Sequence, residues 1–264
     1  MGSEELARFL FEIASDERLA ILEAIRERPL KHAEIARLLS MTGSETTRHL
    51  NRLASAGLVA KNGRGAYEAT QVSAALRAGL PFLRFLTGHR AFVLTHNLLV
   101  LETPFLERLG ELEAGTFTNG TYHVVAVQEN ALRATRRRIW VVTEQRFEQA
   151  LPILRERAGA GADVRIVRPR PAIVAEARTE PRVERNFLLR VIPEVPLFLA
   201  VLDDQAGVCF PSLDGRVDLT MMLRLEDSAG VRWSEDLFRS IWERADEWHG
   251  YRTPTPARPG AVRS

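Results

Sequence analysis

Lysine is nearly missing from this sequence. Lys31 and Lys61 are its only two lysines, and arginine supplies the rest of the 36 Lys and Arg residues. Beyond residue 61 there is no lysine to contact a phosphate, as in a nucleotide-binding P-loop, or to form a Schiff base with a substrate. Both kinds of site are therefore excluded from the greater part of the chain.

Cysteine and long apolar runs are also scarce. Cys209 is the single cysteine, which excludes an internal disulfide bond and any zinc site built on cysteine pairs. No apolar run is long enough to span a bilayer, and the first residues, MGSEELARFLFEI, carry acids where a secretory signal carries bases. We expect a cytoplasmic protein.

Size and charge set the remaining bounds. The chain has 264 residues, of which 45% are hydrophobic, and this suits a small domain followed by a medium one. Its formal net charge is only +2. A nucleic-acid partner must therefore be argued from where the basic residues lie, because the composition alone does not indicate one.

Three helices and a hairpin are predicted in residues 17–70. Apolar residues recur with helical spacing in DERLAILEAIRERP and HAEIARLLS. Thr42 and Glu45 have the form of a capping box, which predicts a third helix that runs to about Ser55. LVAK and AYEAT predict two strands joined by a tight turn at Asn62-Gly63, a dipeptide that favours positive φ angles. This order is that of a winged helix-turn-helix.

The third helix has an apolar side and a polar side. Thr46, Leu50 and Leu53 are spaced to face inward. The opposite side carries groups that donate hydrogen bonds to phosphates and base edges. We predict that Arg48 contacts a base and that Arg52 contacts a phosphate. The predicted DNA-binding residues are Thr42, Ser44, Thr47, Arg48, Asn51 and Arg52 from the helix, with Lys61 and Arg64 from the hairpin.

Residues 17–70 resemble the winged helix of the arsenic-repressor-type regulators of bacteria and archaea. The resemblance is carried by HAEIARLLSMTGSETTRHLNRLASAGLVAK, especially Arg48-His49-Leu50 and Ala56-Gly57-Leu58-Val59. It implies that the third helix enters the major groove while the hairpin touches an adjacent backbone or minor groove. Two alternatives stay open: a winged helix also serves as a protein-interaction or dimerisation module, and TTRHLNR also fits a solvated helix face.

Apolar runs alternate with helical segments from residue 117 onward, which is typical of an α/β sheet buried on at least one side. We predict strands at YHVVAV, RIWVVT, DVRIV, LFLAVLD and VCFP, a helix at EQRFEQALPILRERA and a closing helix at RWSEDLFRSIWERADEW. The predicted divisions are a winged helix over 1–78, a connecting helix over 79–90 with a kink at Gly79-Leu80-Pro81, an α/β domain over 91–250 and a disordered tail over 251–264.

Residues 85–248 resemble the effector domain of the archaeal methanogenesis-regulator family. HRAFVLTHNLLVLETPFLERLGELE and the end motif, with Asp214-Gly215, Asp218 and Trp233 to Phe238, carry the resemblance. It implies a phospholipase-D-like α/β sensor domain that binds a ligand without hydrolysing it. The catalytic motif of that fold requires a lysine, and none follows Lys61.

An effector site is predicted near the strand ends of this domain, lined by His96, Asn97 and the cluster Arg136, Arg137 and Arg138. A solvated strand entry is an alternative for the arginine cluster. The six histidines are scattered, so we expect no metal and no cofactor. Cys209 lies in an apolar run and is predicted to be buried.

The sequence therefore predicts a sequence-specific DNA-binding transcriptional regulator with no enzymatic activity. Its expected partners are double-stranded DNA, a second copy of the chain and a small-molecule effector. The expected homodimer pairs the apolar helices on either side of the winged helix, because this places two recognition helices about one DNA turn apart. The alternatives are a protein-interaction module with an α/β domain, and a nucleic-acid-processing enzyme.

Overall fold

The protein is described by a computed structural model that covers residues 2–145, 148–176 and 186–248. It divides into two compact units, Met1–Pro81 and Phe82–Ser264. The division falls inside the predicted connecting segment. The tail predicted to be disordered, 251–264, lies outside the described residues.

The first unit has a helix-turn-helix followed by a hairpin, as predicted. Its strands pair antiparallel in the order β1-β3-β2. Its elements are α1 (Ser3–Ile13), α2 (Asp16–Ala24), β1 (Leu30–Lys31), α3 (His32–Leu38), α4 (Gly43–Ser55), β2 (Val59–Lys61), β3 (Ala66–Ala69) and the first part of α5 (Gln71–Gly88). The two-residue strand β1 was not predicted. It adds a third strand to the hairpin and completes the winged helix.

Apolar faces of three helices form the core of the first unit. Ile21 and Leu22 of α2, Ile35 of α3, and Leu50 and Leu53 of α4 are all buried in one cluster. Removing each such side chain from water stabilises the fold by about 1.5–3 kcal/mol. The apolar residues whose helical spacing predicted these helices are therefore the ones that form the core.

The turn of the hairpin differs from the prediction. Lys61 pairs with Tyr67, and the Gly65 N–H donates to the Asn62 carbonyl oxygen at 2.9 Å. The residue with positive φ is Gly65, at +74°, and Gly63 is not among the residues with positive φ. The prediction of an Asn62-Gly63 two-residue turn was wrong. A longer turn, which ends at Gly65 in the left-handed conformation, connects the same two strands.

The second unit is an α/β domain, as predicted. It contains the rest of α5, α6 (Arg90–Val93), α7 (Thr103–Glu107), β4 (Thr116–Asn119), α8 (Thr121–Ala134), β5 (Arg138–Val142), α9 (Ala150–Gly159), β6 (Asp163–Pro169), α10 (Arg170–Glu176), β7 (Phe187–Ile192), β8 (Phe198–Val201), β9 (Ala206–Cys209), β10 (Met221–Leu225), α11 (Ser228–Arg244) and β11 (Asp246–Glu247), with 3-10 helices at Leu98–Val100 and Leu109–Leu112.

One mixed sheet organises this unit, with strand order β11-β7-β6-β5-β8-β9-β10-β4. β5, β6 and β7 are parallel to one another, and the other pairings are antiparallel. On one face, Trp233, Phe238 and Trp242 of α11 pack with Trp140 and Val142 of β5. On the other face, side chains of α8 and α9 pack in two smaller apolar clusters. The sheet is thus buried on both faces.

The prediction of a strand at YHVVAV was wrong, since residues 122–127 lie in α8. Gly120, at φ +92°, precedes the helix, and the actual strand in this region is β4. Val124 and Leu132 are buried at helical spacing, whereas Tyr122 is 92% exposed. A short run of β-branched residues fits either element, and the following QENALRA continues the helical period.

Three smaller predictions are also corrected. α5 runs uninterrupted from Gln71 to Gly88 with Pro81 inside it, so the connecting helix begins before residue 79. α9 begins at Ala150, later than predicted, although residues 146–147 lie outside the described part. Trp248 follows β11 and does not belong to the closing helix. α9 ends in a turn at AGAGAD, where Gly161 has a φ of +100°. In the described ranges, every helix is too short or too polar to cross a bilayer.

Candidate DNA-binding surface and effector cavity

A capping box fixes the start of α4. The Thr42 hydroxyl accepts from the Glu45 backbone N–H at 3.2 Å and lies 2.7 Å from Glu45 Oε2. Glu45 Oε2 in turn accepts from the Thr42 backbone N–H at 2.9 Å. These hydrogen bonds lower the pKa of Glu45, the one to the Thr42 hydroxyl most. The predicted capping box is confirmed, and it defines where the exposed side of α4 begins.

The two sides of α4 are those predicted. Thr46, Leu50 and Leu53 have no exposed surface, and the Thr46 hydroxyl donates to the Thr42 carbonyl oxygen at 2.9 Å. Thr46 can be buried in this core because its hydroxyl group makes this hydrogen bond. The exposed residues of the helix include Ser44, Thr47, Arg48 and Asn51.

α3 supports the exposed side of α4 through His32. The ring Nε2 of His32 lies 2.9 Å from Thr47 Oγ1 and 3.1 Å from the Gly43 carbonyl oxygen. Thr47 Oγ1 also donates to the Gly43 carbonyl oxygen at 2.9 Å. This contact connects the two helices of the helix-turn-helix at the end where the exposed side begins. The sequence analysis did not identify this role for His32.

Arg52 forms an ion pair with a residue of α1, and Arg48 has no such pair among its described contacts. Its Nε and Nη2 donate to the two carboxylate oxygens of Glu12 at 2.8 and 2.7 Å, and its guanidinium lies 5.0 Å from the ring centroid of Phe11. The hydrogen bond from Arg52 lowers the pKa of Glu12. Arg48, by contrast, has a single described contact, at 3.5 Å to His49 Nε2. Arg52 therefore connects α4 to α1, while Arg48 is exposed.

Two basic residues lie at the tip of the hairpin. Lys61 and Arg64 are exposed, and the Lys61 ammonium lies 5.7 Å from the ring centroid of Tyr67. The Asn62 side-chain oxygen accepts from the backbone N–H groups of Arg64 and Ala66 at 3.1 Å each. The turn is thus held by its own side chain while the two cations point outward.

In the second unit, His96 and Asn97 are used for local packing. His96 is buried and stacks on Phe92, and its Nε2 lies 3.2 Å from Asp218 Oδ2. Burial raises the pKa of Asp218, but hydrogen bonds from Thr220 and His96 outweigh burial and lower it. The Asn97 side chain accepts from the Leu99 N–H at 2.9 Å. Both predicted effector residues therefore make structural contacts.

The backbone of the predicted arginine cluster binds the carboxylate of Asp203. The backbone N–H groups of Arg136, Arg137 and Arg138 each donate to the Asp203 carboxylate at 2.9 Å. Burial raises the pKa of Asp203, but these three donations outweigh burial and lower it. The Arg138 guanidinium donates to the carbonyl oxygens of Leu202 and Asp203 and pairs with Glu235. Within the described residues, no contact joins this cluster to His96.

A cavity of about 170 Å³ lies between α8, α9 and the sheet. Its wall is mostly apolar, with Val141, Leu154, Ile166 and Ala200 among the lining residues. The described lining contains none of the five predicted effector residues. Residues with polar groups also line it, namely Gln128, Glu129, Thr143, Gln145, Gln149, Arg155, Arg168, Gln205 and Arg224.

Comparison with known families agrees with this architecture. Residues 15–61 match the family described as bacterial regulatory protein, arsR family. Residues 122–244 match the middle domain of the methanogenesis regulatory protein FilR1. The chain is thus similar to the arsR family in its first unit and to the FilR1 middle domain in its second. Both resemblances stated from the sequence are confirmed over these residues, and both matched families are described as regulatory proteins.

Solved structures similar to the chain are distant from it. TrmBL2, described as an archaeal chromatin protein with a novel mode of DNA binding, is 14% identical with a TM-score of 0.43, over 89% of this chain and 94% of that one. NucT from Helicobacter pylori is 10% identical with a TM-score of 0.38, over 50% and 100%. The phospholipase D family member Nuc from Salmonella typhimurium is 12% identical with a TM-score of 0.38, over 51% and 98%. No curated protein matches the chain.

The sequence analysis missed the cavity of the FilR1-type domain. One signal was present, since Arg168 lies near the end of the predicted strand DVRIV. Ligands of α/β sheets bind beyond the carboxyl ends of parallel strands, where Arg168 lies. The contributions of α8 could not be found, because that segment was predicted to be a strand. In the described ranges, no group of three His, Cys, Asp or Glu side chains is placed to hold a metal ion.

Proposed function

We propose that this protein is a sequence-specific, double-stranded DNA-binding transcriptional regulator of the cytoplasm. The exposed side of α4 carries the proposal. Ser44, Thr47, Arg48 and Asn51 form a polar row opposite a fully buried one, at a helix whose start is fixed by Thr42. Donors of this kind suit phosphate oxygens and base edges in a major groove.

The roles within this surface follow from how each side chain is held. Arg48 is exposed at the middle of α4 and contacts a base. Lys61 and Arg64, at the tip of the hairpin, contact phosphates beside the major groove. Arg52 contributes through its pair with Glu12, which limits its reach, so its contact with a phosphate is secondary to its packing role.

The regulator is proposed to act as a homodimer. α1 exposes Leu6, Leu10 and Phe11, and α5 exposes Val72. Burying these apolar side chains against a second copy would stabilise a symmetric pair. A dimer would also bring two copies of α4 to one DNA duplex, which a regulator with a single short recognition helix needs for affinity.

The second unit is proposed to sense a small effector and to catalyse no reaction. With no lysine beyond Lys61, the phosphodiesterase site that the phospholipase-D-like fold would otherwise carry is not available. An effector that prefers one arrangement of the dimer would change its DNA affinity by linkage.

Binding-site selection with the purified full-length chain tests this function. We expect a recovered motif with two related half-sites whose centres lie about 10 base pairs apart. Recovery of no motif would contradict sequence-specific binding. Turnover of a phosphodiester substrate by the same preparation would contradict the proposal that the second unit is not an enzyme.

A further inference from the structure

The cavity between α8, α9 and the sheet exposes apolar side chains of the parallel strands. Strand register aligns Val141 of β5, Ile166 of β6 and Leu189 of β7 in one row, and all three line the cavity. β5 has a strand on either side, yet Val141 is only half-buried, and so is Leu189. Such positions are fully buried where helices close over a parallel sheet. α8 and α9 therefore leave a gap above these three strands.

Met222 fills the neighbouring part of the floor. A Cβ atom on Gly207 would lie 2.7 Å from Met222 Sδ, so the methionine packs directly on the glycine. Ala200 of β8 lies on the same side of the cavity and is only 7% exposed. The open space therefore lies over β5, β6 and β7.

Small residues of the two helices keep this space open. Ala131 of α8 and Ala150 of α9 line the cavity, and both are half-buried. An alanine side chain extends one carbon from the backbone, so neither residue fills the gap. Leu151 and Leu154 of α9 add to an apolar roof. An apolar cavity of about 150 Å³ binds benzene, and this cavity of about 170 Å³ therefore suits one ring with a short substituent.

The cations of the wall already have partners or can reach water. Arg224 pairs with Glu226. Arg168 contacts the Glu144 carbonyl oxygen at 3.5 Å and has a further interaction within the protein. Arg155 of α9 is half-buried, and a long arginine side chain can cover apolar surface while its charge stays in water. An anionic ligand would therefore have to displace contacts or water that these cations already have.

The acid and the hydroxyl group of the wall are engaged as well. Glu129 is the one acid among the described lining residues, and it pairs with Arg133 at 2.7 Å. The Thr143 hydroxyl donates to the Gln145 carbonyl oxygen and accepts from the Gln145 N–H, both at 3.1 Å. Transfer of an ionised group into an apolar site without a partner is strongly unfavourable. The wall therefore favours an uncharged ligand.

We propose that this cavity is the effector site and that the effector is an uncharged, largely apolar molecule of about the size of one aromatic ring with a short substituent. Its body lies over Val141, Ile166 and Leu189, beneath Ala131 and Ala150. This inference rests on the proposed effector-sensing function and adds to it the site and the chemical class of the ligand.

Wild-type protein gives the first test, which requires no substitution. Methyl benzoate and toluene serve as probes, and benzoate and benzylammonium are their charged counterparts. NMR titration of the full-length chain is expected to shift the methyl signals of Val141, Ile166 and Leu189 saturably with at least one probe. We expect its affinity to be roughly tenfold or more above that of its charged counterpart, because the charge must leave water. Equal or tighter binding of the charged counterpart would overturn the proposed chemistry, and shifts confined to other methyl groups would overturn the site.

Two substitutions fill the cavity from different helices. Ala131→Phe acts from α8 and Ala150→Phe from α9, and each is expected to weaken probe binding by roughly tenfold or more. Ala134→Phe is the matched control, since Ala134 is an exposed residue of α8 that does not line the cavity, and it should bind as the wild type does. Circular dichroism identifies the variants that fold. Undiminished binding by a folded filling variant would place the ligand elsewhere and overturn the assignment.

DNA binding by the same preparations separates this inference from the proposed function. A filling variant is expected to bind the selected DNA site as the wild type does in the absence of a probe. A probe that binds should change the DNA affinity of the wild type and not that of the variant. Binding of the probes with no change in DNA affinity would contradict the effector role.

The remaining outcomes are also distinct. If none of the probes binds while the wild type still binds its DNA site, the cavity assignment is overturned and the DNA-binding function stands. If the wild type binds no DNA site, the proposed function itself is contradicted.

Discussion

Arg48 lies on the exposed side of α4. Its described contacts include no carboxylate, so its guanidinium is not held by an ion pair of the kind that holds Arg52. We predict that Arg48→Ala weakens binding to the selected site by about 1–3 kcal/mol and relaxes the base preference at one position. A gel-shift titration against the selected site and its single-base variants measures both effects. Unchanged specific binding would show that another side of α4 faces the DNA.

Arg64→Ala is the matched control for this prediction, because it removes the same guanidinium from the hairpin. Here binding to selected and scrambled duplexes should weaken alike. The slope of log Kd against log salt concentration should fall by about one, as the loss of a phosphate contact predicts. Loss of sequence preference in this variant would contradict the division of roles between α4 and the hairpin.

His49 gives a prediction about pH. It is 7% exposed, and burial, followed by the charge of Arg48, lowers its pKa from the ordinary value of 6.5. At a pH between this lowered pKa and 6.5, His49 binds a proton in the unfolded chain and does not bind one in the folded chain. The free energy of unfolding should fall as the pH drops below 6.5 toward the lowered value. NMR titration of the His49 ring protons, assigned by their loss in His49→Gln, should give a pKa below 6.5. A pKa at or above that value would contradict the burial of the ring.

At the scale of single elements, the start of α4 depends on Thr42. We predict that Thr42→Ala lowers the free energy of unfolding of the first unit by about 1 kcal/mol, because it removes one half of the capping box. Thr42→Ser keeps the hydroxyl group and should retain most of the stability. The four tryptophans all lie in the second unit, so urea unfolding followed by both circular dichroism and tryptophan fluorescence separates the units. An equal loss in both variants would show that the hydroxyl group does not stabilise the helix.

Helices and strands could be predicted where the spacing of their own apolar residues determined them. Capping by Thr42 and the inward spacing of Leu50 and Leu53 located α4 at the residues where the structure has it. The segment from Tyr122 to Val127 could not be assigned in the same way, since a short β-branched run fits a strand or a buried helix. Tertiary packing of Val124 and Leu132 against the sheet favours the helix, and the only local signal for it is the helical period of the following QENALRA.

Site residues were predictable only where a helix side decides exposure. The exposed row of α4 followed from its helical spacing, whereas the pair of Arg52 with Glu12 joins residues forty positions apart. The three backbone donations to Asp203 likewise depend on the pairing of β5 with β8. The first contact depends on how α1 packs on α4 and the second on the order of the strands, and the sequence alone gives neither.

At the scale of the whole molecule, the proposed dimer makes a prediction about α1. Leu6 is 60% exposed on this helix, so Leu6→Glu should leave the monomer folded and weaken a dimer that buries α1. Light scattering at micromolar concentration should show dimers for the wild type and monomers for the variant. Leu99→Glu, at an 81% exposed position in the second unit, is the control and should remain dimeric. A wild type that is monomeric with and without DNA would contradict the homodimer.

Specific recognition of DNA is the central claim, and one ratio tests it most directly. Fluorescence anisotropy of the full-length chain gives its Kd for the selected site and for a scrambled duplex of the same length and composition at about 0.15 M salt. Regulators of this kind bind their own site roughly 10³-fold or more tightly than other DNA. We predict a ratio of that order for the wild type. A ratio near one would show that the basic surface binds DNA without reading its sequence, and it would contradict the function proposed for α4.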